Sequence, residues 1–168
     1  GRLNRVSEII NSAHALGIIT TADELSPGHE FGIWGKAAEW SIGPSAALLG
    51  VIAETCGGIA FCCHVQGVPS YLIIHAANHP SFTSLRPALC LQEGPYPPSC
   101  NALFYPERES AVGLVTAAGK TGGSYSLSGS KSFVYSATEP DGYVVFARAG
   151  DRLRCFLVPA GTPGITRT

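Results

Sequence analysis

Residues 45–65 read SAALLGVIAETCGGIAFCCHV, an almost wholly apolar run with Glu54 as its one charge. A run of this kind must be buried, in protein or in lipid. Its length suits a bilayer span. Glu54 near its centre, the Gly57-Gly58 pair and the lack of flanking basic clusters favour a buried helix in a helical layer instead. The run starts too far along the chain, and without a basic lead, to read as a signal peptide. Pro44 can open the helix at its first turn.

The flanks carry a helical code as well. Apolar residues at Leu3, Val6, Ile9, Ile10, Ala13 and Leu16 predict a helix over 3–16, with Gly17 just past its end. A polar loop over 22–30 follows. A second helix is expected over 31–42, with Phe31, Trp34, Ala38 and Ile42 on one side, and a short one over 69–78, stopped by Pro80.

From about Pro87 the pattern changes to short runs with glycine turns. Strands are expected near 88–92, 101–105, 111–118, 123–135, 142–149 and 153–158, with hairpin turns at Gly122-Gly123 and Ala149-Gly150-Asp151. Strands at this spacing suggest a small antiparallel barrel or sandwich. The expected class is α+β, with a helical domain over 1–82 followed by a β domain over 83–168.

Charged residues are 14% of the 168, against 45% hydrophobic, where an average domain has about 25% charged. A surface so poor in charge suggests that part of it is an interface. The formal net charge of −1 gives no basic patch for nucleic acid or an anionic membrane. Cys56, Cys62, Cys63, Cys90, Cys100 and Cys155 contain no Cys-x-x-Cys pair, so a zinc ribbon is not expected. The expected state is free buried thiols in a reducing, cytoplasmic compartment, or the mitochondrial matrix of a eukaryote. There is no methionine, even at position 1, so the termini are not read as natural ends.

The β half carries the most specific pattern. Cys90-Leu91-Gln92-Glu93-Gly94 ends the first strand, a proline-rich loop runs to Ser99, and Tyr125-x-Leu127-x-Gly129-x-Lys131 leads into Phe133-Val134-Tyr135-Ser136. These residues resemble the acyl-CoA dehydrogenase family at the start of its middle β domain. Tyr143 to Arg148 and Cys155 to Thr162 are similar to its later strands, and the helical first half agrees in placement with its N-terminal domain.

The resemblance implies binding of FAD, α,β-desaturation of an acyl-CoA thioester and a place in lipid metabolism. It places the isoalloxazine ring near Leu91, Gln92, Phe133, Tyr135 and Ser136, and the pantetheine arm near Ser99. Gln92 stands where Thr is usual, Phe133 where Trp is usual, and Tyr135 where a second Thr is usual. Gln and Tyr keep hydrogen-bonding capacity. The Asp that normally follows the Ser of that loop is missing. In the family the α-proton is taken by a Glu of a later helical bundle, which has no counterpart in these residues, so no catalytic base is assigned. The resemblance also implies a homo- or hetero-oligomer with a similar chain, and an electron-transfer partner. A flavin-free structural subunit and a flavin monooxygenase on the same scaffold are the alternatives.

Other constellations point to structure. His75 and His79 are four apart, but Pro80 follows and no third ligand is near, so no metal site is expected. Cys62, Cys63 and His64 are consecutive and point apart. Glu54 is expected to face solvent or a subunit contact rather than act as a tuned base.

Overall fold

The computed structural model describes residues 2–19, 33–34, 41–73, 85–93, 114–136 and 139–168. Three helices precede five strands among these: α1 (Arg2–Ala15), α2 (Gly43–Thr55), α3 (Gly57–Leu72), β1 (Ala88–Cys90), β2 (Ala117–Thr121), β3 (Ser124–Ser128), β4 (Gly142–Ala149) and β5 (Arg152–Pro159). The α+β class is as expected.

Helix α1 buries Ile10 and Ala13 and ends where the sequence signals it. Gly17 takes a left-handed φ of 69°, its N–H donates to His14 O at 3.0 Å, and Ile18 N–H donates to Ala13 O at 2.9 Å. This pair of reversed bonds satisfies carbonyls that would otherwise be orphaned at the helix end. Ile10, Ala13, Ile19, Ile33 and Cys63 form the core of the helical part, with Leu48, Leu49 and Ile52 of α2 packed around them. Replacing fully buried Ile10 by Val is expected to cost about 1 kcal/mol in urea unfolding. The same change at exposed Ile9 is expected to leave the midpoint in place.

The helical expectations need three corrections. The apolar run over 45–65 is two helices, not one, and its first half is not buried as expected: Ser45 is the one buried residue of α2, and Val51 is exposed. Cys56 is extended, at φ −159° and ψ 105°, and caps α2 through its N–H to Ile52 O. No helix of the described residues is long and apolar enough to cross a membrane. The expected helix over 31–42 does not pass through Trp34, whose φ of 59° lies outside right-handed helix space, and Ile42 at its far end is the N-cap of α2; residues 31–32 and 35–40 are outside the described residues, as are His75 and His79. Finally, Pro69 does not start a new helix but lies inside α3. Glu54 is exposed, as expected, while Cys56 and Cys155 are exposed where buried thiols were expected.

Trp34 joins the two halves. Its ring packs against the helical core and against the cluster under the sheet. Its backbone N–H donates to Ser45 Oγ at 3.3 Å, and its Nε1–H donates to His64 Nδ1 at 2.9 Å. Burial pushes His64 below its ordinary range. Burial thus favours the neutral imidazole, and with Nδ1 accepting from Trp34 its proton belongs on Nε2.

Strand β4 organises the sheet. β5 pairs antiparallel along its whole length, from Gly142↔Pro159 to Ala149↔Arg152. On the other edge β1 pairs parallel, from Ala88↔Tyr143 to Cys90↔Val145, and β2 then joins in parallel at Ala117↔Arg148. β2 and β3 form a hairpin closed by Thr121↔Ser124. The expected antiparallel barrel is thus a mixed sheet, and its pairings do not close a ring among the described residues. The Tyr125 and Phe156 rings meet edge-on at 5.2 Å, which brings β3 beside β5 without a ladder. The strand expected over 101–105 lies outside the described residues.

Both faces of β1 and β4 are buried. Leu89, Leu91, Val144 and Phe146 pack under Val68 of α3, with Leu72 at the edge. Ala88, Cys90 and Tyr143 form a second cluster with Val145 and Val158. Burial on both faces explains why these strands read as continuous apolar runs.

Candidate functional site

The end of β1 is held by the segment 132–135. Leu89 N–H donates to Tyr135 O at 2.9 Å, Tyr135 N–H donates back to Leu89 O at 3.0 Å, and Ser132 N–H donates to Gln92 O at 2.9 Å. These bonds bring together Leu91, Gln92, Phe133 and Tyr135, with Ser136 next in the chain. Ser99 lies outside the described residues.

Each member presents something different. Leu91 is buried in the cluster under α3. Phe133 has a left-handed φ of 51° and is 61% exposed, with Val134 exposed beside it. Tyr135 is half-buried; its ring stands edge-on to Phe61 of α3 at 5.6 Å, and its hydroxyl donates to Gln92 Oε1 at 3.4 Å. Phe61 is itself about half exposed. Gln92 is 4% exposed, yet its Nε2 has no hydrogen-bond partner among the described residues. An unpartnered buried donor costs about 1–3 kcal/mol and calls for a ligand or water to explain it.

One residue further on, Glu93 does the holding. Its carboxylate is 5% exposed and accepts from Lys131 Nζ at 2.7 Å. It also accepts from Thr116 N–H at 2.9 Å and from Val115 N–H. Three separate segments meet on this one group: the end of β1, the entry to β2 and the Gly-x-Lys turn. Burial alone would raise the Glu93 pKa. Hydrogen bonds from Lys131, the Thr116 hydroxyl and the two backbone N–H groups outweigh it and hold the carboxyl below its usual range.

That depression sets a pH dependence. The folded pKa is below the unfolded value of about 4.3, so the contribution is complete above that value and is lost as pH falls through the folded pKa. The stability difference between wild type and Glu93→Gln, followed by urea midpoint, is expected to be constant near neutrality and to shrink as pH drops below about 4.

Gly129 makes the turn possible. Its φ is 147°, and a Cβ there would lie 2.6 Å from Thr116 Cα. Only a residue without a side chain allows this approach, and it is the approach that places Thr116 N–H on Glu93.

Two reactive side chains at the end of β1, Glu93 and Cys90, are not placed for proton transfer or attack. Glu93 has its oxygens engaged and is no base. Cys90 is no nucleophile, because burial pushes its thiol up to about 11 despite the nearby Lys131. Among the described residues no group of three His, Cys, Asp or Glu side chains could hold a metal. From the sequence Glu93 and Lys131 entered only as members of the resembling motifs, with no site role, and Thr116 did not enter. The available signal was a lone Glu directly after an apolar strand, in a chain whose matching turn carries a lone Lys.

No family model matches the chain. Over 55 residues it is 44% identical to the benzylmalonyl-CoA dehydrogenase of Aromatoleum aromaticum. That match covers 32% of this chain and 15% of the relative. The similarity is partial, and it is to a protein named as a CoA-ester dehydrogenase.

Proposed function

We propose that the chain is part of an acyl-CoA dehydrogenase-type flavoprotein, and that the end of β1 with the segment 133–136 holds the polar edge of FAD. The observation that carries this is the buried, unpartnered Gln92 Nε2. It is a directed donor at the place where the resemblance puts the ring, and the ring's edge is rich in acceptors. The partial match to a CoA-ester dehydrogenase supports the same reading.

The residues present fit the group in three ways. Gln92 offers N–H to an acceptor, exposed Phe133 offers an aromatic face or edge, and exposed Val134 supplies an apolar wall, with Leu91 packed in the core behind. FAD in such enzymes takes up hydride from an acyl thioester. This chain's own residues bind and orient the ring and exclude water from one side of it. Ser99 is assigned to the pantetheine arm of the acyl-CoA. The base, the electron acceptor and a partner chain of similar kind are assigned to parts outside these residues. A helical domain over 1–82 and a β domain over 83–168, in a cytoplasmic or matrix setting, complete the reading.

FAD titration followed by visible absorbance and flavin fluorescence tests it. Wild type is expected to bind. Gln92→Met is expected to weaken binding roughly fivefold, the worth of about 1 kcal/mol of hydrogen bond. The melting temperature of the ligand-free protein is expected to hold or rise, because an unpartnered buried donor has gone. A residue there for packing alone would give the opposite pattern. A protein that stays colourless with FAD favours the second reading, a flavin-free structural subunit, for which the Tyr135 side chain filling the strand end is the supporting observation.

A further inference from the structure

Gln92 and Tyr135 both depart from the Thr usual in the resembled pattern, and the structure brings the two departures into contact. The two ends of a glutamine amide are nearly alike in shape, so the partners decide which end points where. Here Oε1 faces the Tyr135 hydroxyl at 3.4 Å, and Nε2 is the end left without a partner. A phenol is a better donor than acceptor, because its oxygen lone pair is delocalised into the ring. That favours Oε1, not Nε2, at the hydroxyl.

Tyr135 is itself fixed from two sides. Its backbone exchanges both hydrogen bonds with Leu89, and its ring is braced edge-on by Phe61 of α3. The Gln92 backbone is tied in turn through its carbonyl to Ser132 N–H. These bonds fix the two backbones, so the hydroxyl and the amide can part only by side-chain rotation.

We infer that Tyr135 is a positioning residue for Gln92: its hydroxyl fixes the amide so that N–H, and not C=O, faces the ligand. The two residues thus act as one unit that selects a planar ring with acceptor atoms along its edge. A ring edge of donors would meet Nε2–H head-on and be rejected. This rests on the flavin reading for the identity of the ligand, but the orientation of the amide stands on the protein alone.

The test combines two measurements. FAD affinity is determined for wild type, Gln92→Met, Tyr135→Phe and the double variant. Nitrogen relaxation of the Gln92 side-chain amide is recorded without ligand for wild type and Tyr135→Phe. Tyr135→Phe is expected to weaken FAD binding roughly threefold to tenfold, to have no further effect once Gln92 is Met, and to make the amide measurably more mobile. Gln92→Glu keeps an oxygen towards the hydroxyl but turns the donor into an acceptor, and is expected to abolish FAD binding while the protein stays folded. Effects of the two substitutions that simply multiply, an amide equally ordered in Tyr135→Phe, or undiminished FAD binding by Gln92→Glu would each overturn the inference. Should wild type take up no FAD, the flavin reading fails, and the amide relaxation alone decides whether Tyr135 orients Gln92.

Discussion

Gly129→Ala is expected to lower the unfolding free energy by about 3–5 kcal/mol, the combined cost of a backbone region reserved for glycine and of overpacking. The new methyl would stand 2.6 Å from Thr116 Cα and 2.7 Å from its hydroxyl. The nearest contact is backbone, so nothing flexible can swing aside. Either the turn opens or Thr116 is driven back, and Thr116 N–H then leaves Glu93. The substitution should therefore weaken FAD binding along with stability, although Gly129 touches no ligand in this arrangement. Urea unfolding and FAD titration on the same sample check both effects. A stability close to wild type would mean that the turn is not packed as described.

Removing Glu93 should be equally severe. Glu93→Leu leaves the Lys131 ammonium buried with its partner gone, and breaking a buried pair from one side costs about 3–5 kcal/mol. The N–H groups of Val115 and Thr116 lose their acceptor as well. The double variant Glu93→Leu/Lys131→Met removes the stranded charge, so it should recover most of the lost stability. It should not recover all of it, because the two backbone donors stay unsatisfied. Thermal melts of the two single variants and the double variant measure this coupling directly. Additive losses would show that Glu93 and Lys131 do not act as a pair.

Much of the fold could be read from the sequence where one local signal dominated. The ends of α1 and β4 followed from periodicity, a glycine stop and a hairpin turn, all of them short-range. The break at Cys56 was harder: the Gly57-Gly58 pair beside it is a weak point for a helix, but only the backbone dihedrals show that Cys56 is the extended residue. Pro69 misled in the other direction: it is a usual helix breaker, yet here it is buried inside α3, where packing outweighs propensity. The parallel pairing of β1 and β2 with β4 had no local signature, since strand direction is decided by connections that hydropathy does not encode.

The candidate site was legible in the same uneven way. Leu91, Gln92, Phe133 and Tyr135, named from the resemblance, lie on two segments joined by the paired bonds of Leu89 with Tyr135 and of Gln92 with Ser132. What the sequence could not show is why that arrangement holds. Glu93, Lys131 and Thr116 converge from three distant stretches. The close approach that obliges position 129 to be glycine exists only once Thr116 lies against it.

The most direct measurement is the Gln92 side-chain amide proton signal of wild type during FAD titration. A downfield shift of one amide proton, saturating together with the flavin fluorescence change, is the expected result. It would show Nε2–H donating to the ring. Amide protons that do not move while FAD saturates, or a protein that binds no FAD, would contradict the assignment of the β1 end as a flavin site.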